Sequence, residues 1–155
     1  MRAAWAVVAG ALAAVPILAL PTRWSADADV GITRYLVGER GSKGTHIVIS
    51  CPHQGKGADV EVTINGILAP SDSEIGFRAA NRTVVMKSSG NGRMETESKA
   101  NALAFRVLWD SIRAGRTLEV SFTNGVSATL PLTGSAMTLP AAPCPVEYRA
   151  GKPAL

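Results

Sequence analysis

Histidine, cysteine and aromatic side chains are all scarce in this sequence, and each scarcity narrows what the chain can do. His46 and His53 are the two histidines, which leaves little from which to build a metal centre or a catalytic base. Aromatic residues make up 5% of the chain, so aliphatic side chains must carry the packing. No cysteine lies in or near the first 28 residues, which excludes a lipid-modified amino terminus. No twin arginine precedes the apolar segment, so the expected route of export is as an unfolded chain. There is no internal repeat, and no basic face concentrated enough for nucleic acid.

What is present first is an export signal. Arg2 is followed by an uncharged stretch from Ala3 to Pro21, rich in Ala, Val, Leu and Ile. A short positive start before an apolar core is what an export machinery reads. Ser25-Ala26-Asp27-Ala28 offers small residues at minus three and minus one, so residues 1–28 read as a signal peptide cut after Ala28. The alternative is a retained anchor, because the apolar run is at the lower edge of what spans a bilayer. Cleavage leaves residues 29–155, with no later transmembrane segment. Fourteen basic and eleven acidic residues remain, a mild and dispersed positive balance. A chain of this size makes one domain with one core. Heavy use of Ala, Gly and Arg points to a bacterial source of high GC content, and so to a periplasmic or secreted protein.

The two cysteines, Cys51 and Cys144, both lie beyond the signal. In an oxidising compartment a pair of this kind is expected to form a disulfide, here closing nearly the whole domain.

Between them the pattern is mostly β. Residues 29–33 read as a flexible lead-in and Arg34–Glu39 as a first strand, followed by a Gly- and Ser-rich turn. Thr45–Cys51 is dense in β-branched residues and stops at Pro52. From Asp59 to Ile67, Val60, Val62 and Ile64 alternate with Glu61, Thr63 and Asn65, so one face meets the core. Pro70–Glu74 reads as a loop and Arg82–Lys87 as a strand. Asn91-Gly92 is a hairpin signal, with residues 93–97 returning as a polar edge strand.

Phe105, Leu108, Trp109 and Ile112 fall at i, i+3, i+4 and i+7, which predicts a helix near 100–114. Ser98 or Asn101 caps its start and Gly115 its end. Arg116–Thr123 and Val126–Leu132 form a hairpin about Asn124-Gly125, with Pro131 marking an edge or an early end. The tail from about residue 135 is rich in Pro and Ala and reads as irregular. The expected fold is mainly β (α+β), a small antiparallel β-sandwich-like domain of six to seven strands with one packed helix.

The order of a Cys-ending strand, the segment 113–122 (RAGRTLEVSF), a return strand into Leu132-Thr133-Gly134-Ser135 and a late Cys144 resembles small periplasmic proteins of the invasion-associated locus B type. The likeness covers roughly residues 45–145, and its specific part is 113–135. It implies a periplasmic β-rich fold and an envelope or host-interaction role. It carries no catalytic residues to transfer.

Several constellations bear on chemistry. Cys51, His53 and His46 fall short of a zinc site, and alternation puts His46 on the strand face opposite Cys51. Ser135 and Ser89 sit beside glycines, but neither matches a nucleophile elbow. Glu95 and Glu97 lie two apart and Asp110 adjoins Trp109, a set that could cleave sugars if buried. Gly41-Ser42-Lys43-Gly44-Thr45 lacks the spacing of a phosphate loop and reads as a turn. Asn81-Arg82-Thr83 is a glycosylation sequon, meaningful only in a eukaryote. Trp109 belongs with the apolar stripe rather than on a sugar-stacking surface.

No catalytic residue, metal or cofactor is assigned. The expected function is a non-catalytic binding module for an envelope protein or cell-wall polymer, working through a sheet face or strand edge. The alternative is a small hydrolase acting on envelope material with Glu95, Glu97 or Asp110.

Overall fold

A computed structural model describes residues 23–54 and 57–145; the apolar start of the expected signal, through residue 22, and the end of the tail lie outside the described residues. Strands β1 (Ser25–Asp29), β2 (Ile32–Gly38), β3 (His46–Pro52), β4 (Asp59–Ile64) and β5 (Ile67–Leu68) lie side by side in that order. The other strands are β6 (Glu74–Ala79), β7 (Arg82–Lys87), β8 (Met94–Glu95), β9 (Thr117–Phe122) and β10 (Ser127–Pro131). Of these, β8 joins the first sheet by pairing with β4, and the rest make a second sheet in the order β10-β9-β6-β7. All pairings are antiparallel. Helix α1 (Lys99–Ala114) packs mainly on β6 and β7, and a one-turn helix α2 (Ser135–Thr138) follows β10.

The mainly β architecture with its single long helix matches the expectation, with ten strands rather than six or seven. Period-2 alternation builds the core. Ile47, Ile49 and Cys51 of β3 join Val60, Val62 and Ile64 of β4 in one buried cluster with Ile75, Phe77, Leu118, Val120 and Phe122 of the second sheet. The predicted stripe of α1 is wholly buried in it, and Trp109 stands edge-on to Tyr35 with ring centroids 5.5 Å apart.

Local chemistry fixes the helix ends. The Ser98 hydroxyl accepts a hydrogen bond from the Asn101 amide at 3.1 Å, which satisfies one orphan donor of the first turn. Asn101 is no cap. Its side chain accepts from Lys87 N and donates to the carbonyls of Lys87 and Glu95, at 2.8–2.9 Å, and so ties β7 and β8 to the helix. Gly115 ends the helix in extended backbone; a Cβ there would lie 2.8 Å from Leu132 Cδ1 and 2.9 Å from Ser111 O.

Four expectations are corrected. Residues 29–33 are no flexible lead-in: Ser25–Asp29 pairs with Ile32–Leu36 along five residues, and Trp24 is 5% exposed in the core. Trp24 and most of β1 therefore lie on the signal side of the boundary expected after Ala28. The strand expected through Ile67 breaks at Asn65-Gly66, both at positive φ, and folds back as β5. A Cβ on Gly66 would lie 2.0 Å from Ser42 O, so only glycine fits. Beyond the expected loop, Glu74–Ala79 is a strand, joined to β7 through Ala80 and Asn81 at positive φ. Finally, Met94-Glu95 does not return along β7 but crosses to β4 in the other sheet.

Candidate functional site

Antiparallel register carries one set of side chains to the outer face of the six-stranded sheet, away from the core. Asp27, Arg34, Ser50, Asp59 and Glu95 are successive cross-strand partners from β1 through β2, β3 and β4 to β8. The neighbouring rows hold Leu36, Val48 and Glu61, then Gly38, His46 and Thr63. An outer face is normally wet, yet His46, Ser50 and Thr63 here are at most 9% exposed.

A cleft of about 370 Å³ lies over this face, lined by Ile32, Arg34, Arg40, His46, Val48, Ser50, Asp59, Glu61 and Arg93. Arg40 enters from the β2–β3 loop and Arg93 from the segment before β8. Arg93 lies 2.8 Å from Glu61 Oε2 but 3.6 Å from Asp59 Oδ1, too far for a good hydrogen bond. Asp59 Oδ1 is buried and accepts no hydrogen bond from the described residues. Arg34 has one ionic neighbour, Asp29 at 4.0 Å, and Arg40 has none among the described residues. Three guanidinium groups and two carboxylates line the cleft, Arg34 and Arg40 on the β2 side and Asp59, Glu61 and Arg93 on the β4 side, while Asp27 and Asp29 of β1 and Glu95 of β8 flank these strands.

Two groups have defined protonation chemistry. His46 Nδ1 lies 3.0 Å from the Glu39 carbonyl, which only accepts, so Nδ1 carries the proton and Nε2 is the other polar ring atom. Burial pushes the Asp59 carboxyl above the ordinary aspartate value of 3.8. Arg93 opposes that rise, Glu61 adds to it, the Ser50 hydroxyl opposes it and Glu95 adds to it. The folded state then holds more protons than the unfolded chain in the window above 3.8, so stability falls as pH rises through it. Asp59→Asn is expected to melt at a higher temperature than the parent at pH 7, with the difference shrinking towards pH 3.8 and below. A lower Tm for the variant at pH 7 would show that the carboxylate is a net stabiliser.

The residues singled out from the sequence are dispersed. Cys51 and Cys144 are bonded, with Cα atoms 5.6 Å apart. His53 lies beside that bridge, Nε2 2.9 Å from Thr33 Oγ1, while His46 lines the charged cleft. Ser135 is buried and donates to Ile112 O at 2.8 Å; Ser89 Oγ donates within its own turn. Glu95 and Glu97 border a hollow with Lys87, Ser98 and Asn101, and Asp110 is outside it on the exposed face of α1. Trp109 is fully buried and donates to Pro140 O at 3.0 Å.

A second cleft of about 240 Å³ runs beside the disulfide, between Tyr35, Trp109, His53 and the prolines of the tail. It is mostly apolar, and among the described residues no Asp, Glu, Lys or Arg lines it. The candidate site is the charged cleft, whose Arg34, Arg40, Ser50, Asp59, Glu61 and Arg93 went unmarked in the sequence. The available signal was that the polar positions of 46–50 and 59–63 alternate against the core.

The YfjT family model matches residues 22–139. The chain belongs to the YfjT family. The match begins two residues before Trp24, so it takes in β1 and all later elements through α2 of this YfjT member. Nothing links it to the invasion-associated locus B type that residues 113–135 resemble. No curated protein and no solved structure matches the chain.

Proposed function

We propose that the protein is an exported, non-catalytic binding module that takes up an envelope protein or cell-wall polymer on the outer face of its six-stranded sheet. The observation that carries this reading is the charge gathered there: Asp59 Oδ1 is buried and, among the described residues, has Arg93 at 3.6 Å but no hydrogen bond, and the exposed Arg40 lines the same cleft with no ionic partner among those residues. Buried polar groups are normally satisfied, so the exceptions mark places where a partner supplies what is missing. Export is supported by the apolar start after Arg2 and by the bonded cysteines, which are favoured in oxidising compartments. The test is photo-crosslinking in the source cells, with the reactive residue at Ile32 in the cleft or at Ser121 on the outer face of the other sheet. Adducts from Ile32 and none from Ser121 are expected; adducts from Ser121 alone would move the contact to the second sheet.

One observation favours hydrolysis as a second reading. Asp59, with its proton affinity raised, lies close to Glu61 and Glu95, and such a pairing of carboxyl groups suits acid and base roles. Turnover of envelope material that Asp59→Asn abolishes without loss of binding would select it. Glu97 and Asp110 have no place in that reading.

A further inference from the structure

Two of the cleft's three arginines stand apart from its two carboxylates, and that separation specifies what fits. On the β2 side stand Arg34, with its single long contact to Asp29, and Arg40, without an ionic neighbour among the described residues. On the β4 side stand Asp59 and Glu61, for which Arg93 supplies one close contact and one long one. Between them, on β3, lie the Ser50 and His46 side chains and the apolar surface of Val48, with Ile32 beside Arg34 on β2. An oxyanion alone would satisfy the arginines but would be repelled by the carboxylates two strands away. A cation alone would meet the reverse.

We infer that the ligand group recognised here is a small zwitterion, an amino acid or dipeptide, with its carboxylate against Arg34 and Arg40 and its ammonium against Asp59 and Glu61. The inference rests on the binding-module reading and names the chemistry of that same cleft. Scale agrees with it. Strands β2 and β4 are two spacings apart, about 9.6 Å, with β3 between them, a span that one or two residues bridge. The cleft's volume of about 370 Å³ is of the size that holds such a group. Arginine suits the carboxylate end because its planar fork makes paired hydrogen bonds. Ile32 and Val48 offer contact to a small apolar side chain, which would make alanine-like residues good occupants.

The test is titration of the folded protein, followed by backbone amide shifts, with four probes: alanyl-alanine, acetate, inorganic phosphate and methylamine. Alanyl-alanine is expected to move the amides of Arg34, Ser50 and Asp59 together, and to bind at least tenfold more tightly than the other three. Arg40→Gln should weaken it about tenfold; Arg40 is exposed on a loop, so this variant keeps the fold. Asp59→Asn should weaken the dipeptide and leave acetate unchanged. Acetate or phosphate binding as tightly as the dipeptide would overturn the inference in favour of a plain oxyanion site. A dipeptide that moves none of these amides would overturn it too. In either case crosslinks from Ile32 would still support the cleft as the binding surface, whereas their loss would remove the surface itself.

Discussion

A chain cut after Ala28 is expected to lose most of its stability, whereas one that begins at Arg23 keeps it. The cut removes four of the five residues of β1 and, with them, Trp24, which is 5% exposed in the main core. Trp24 is also held by its backbone: its amide donates to Thr133 O at 3.3 Å, and its carbonyl accepts from Thr138 Oγ1 at 3.3 Å. Emptying a buried tryptophan site costs about 3–5 kcal/mol, a large part of the roughly 5–15 kcal/mol that holds a domain together. Loss of β1 also leaves β2 as an uncovered edge, with the pairing groups of Ile32–Leu36 free to join another chain. Thermal melts of the two chains, with light scattering to follow aggregation, make the comparison. A low or absent transition for the chain starting at Asp29 is the expected result; equal melting temperatures would show Trp24 and β1 to be dispensable. The expected outcome places any signal-peptide cut at or before Arg23.

Removing the disulfide is expected to be nearly as damaging. Cys51 ends on the core side of β3, and Cys144 lies 93 residues on, in a tail with little structure of its own. On the chain-entropy account a bridge of that span contributes about 4.7 kcal/mol, with measured bridges more often at about 2–4 kcal/mol. For a domain of this size that corresponds to a fall of about 10–20 °C in Tm for the Cys51→Ala, Cys144→Ala pair. The local consequence is as telling as the melt. The tail accepts hydrogen bonds from Trp109 Nε1 at Pro140 O and from Arg113 Nε at Leu139 O, and it walls the cleft beside Tyr35. Once the bridge is open the end of the tail is held by noncovalent contacts alone, so Trp109 fluorescence should shift to the red before global unfolding. A single transition, with no early shift, would show that the tail stays docked without its covalent tie.

How far the sequence foretold this fold can be read element by element. The helix was legible because Phe105, Leu108, Trp109 and Ile112 form one stripe between a serine cap and a glycine. The hairpin after it was legible because Asn124-Gly125 is a strong local signal, and Pro131 sits at the end of an edge strand as its missing N–H requires. β6 was missed because the turn that joins it to β7, Ala80-Asn81, reaches positive φ without glycine. β1 was missed because Ser-Ala-Asp-Ala-Asp has no large apolar side chain, only Ala26 and Ala28 on one face; it is held by ladder bonds to β2 and by Trp24 before it. Met94-Glu95 crosses between sheets, and periodicity carries no information about which strand a segment will join. The candidate site was hidden for a related reason. Arg34, Ser50 and Asp59 are far apart in sequence and meet only through the register of β2, β3 and β4.

Register also explains why the charged cleft is the place to look for function. Partial burial raises the proton affinity of the Asp59 carboxyl, so holding it ionised at neutral pH is expected to cost stability that a neutral residue of similar size would not. Polar groups that weaken a fold in this way concentrate at functional sites. By contrast, Arg78 and Glu119 on the outer face of the other sheet pair with each other in the open and leave nothing unsatisfied.

The measurement that tests this account most directly is amide-shift mapping of the isotope-labelled protein against a soluble digest of cell-envelope material. Shifts clustered on Arg34, His46, Ser50, Asp59 and Arg93, and absent from Asp59→Asn, are the result the account predicts. Shifts confined to Gly76 and Ser121 on the second sheet, or to the Trp109 indole beside the disulfide, would contradict it.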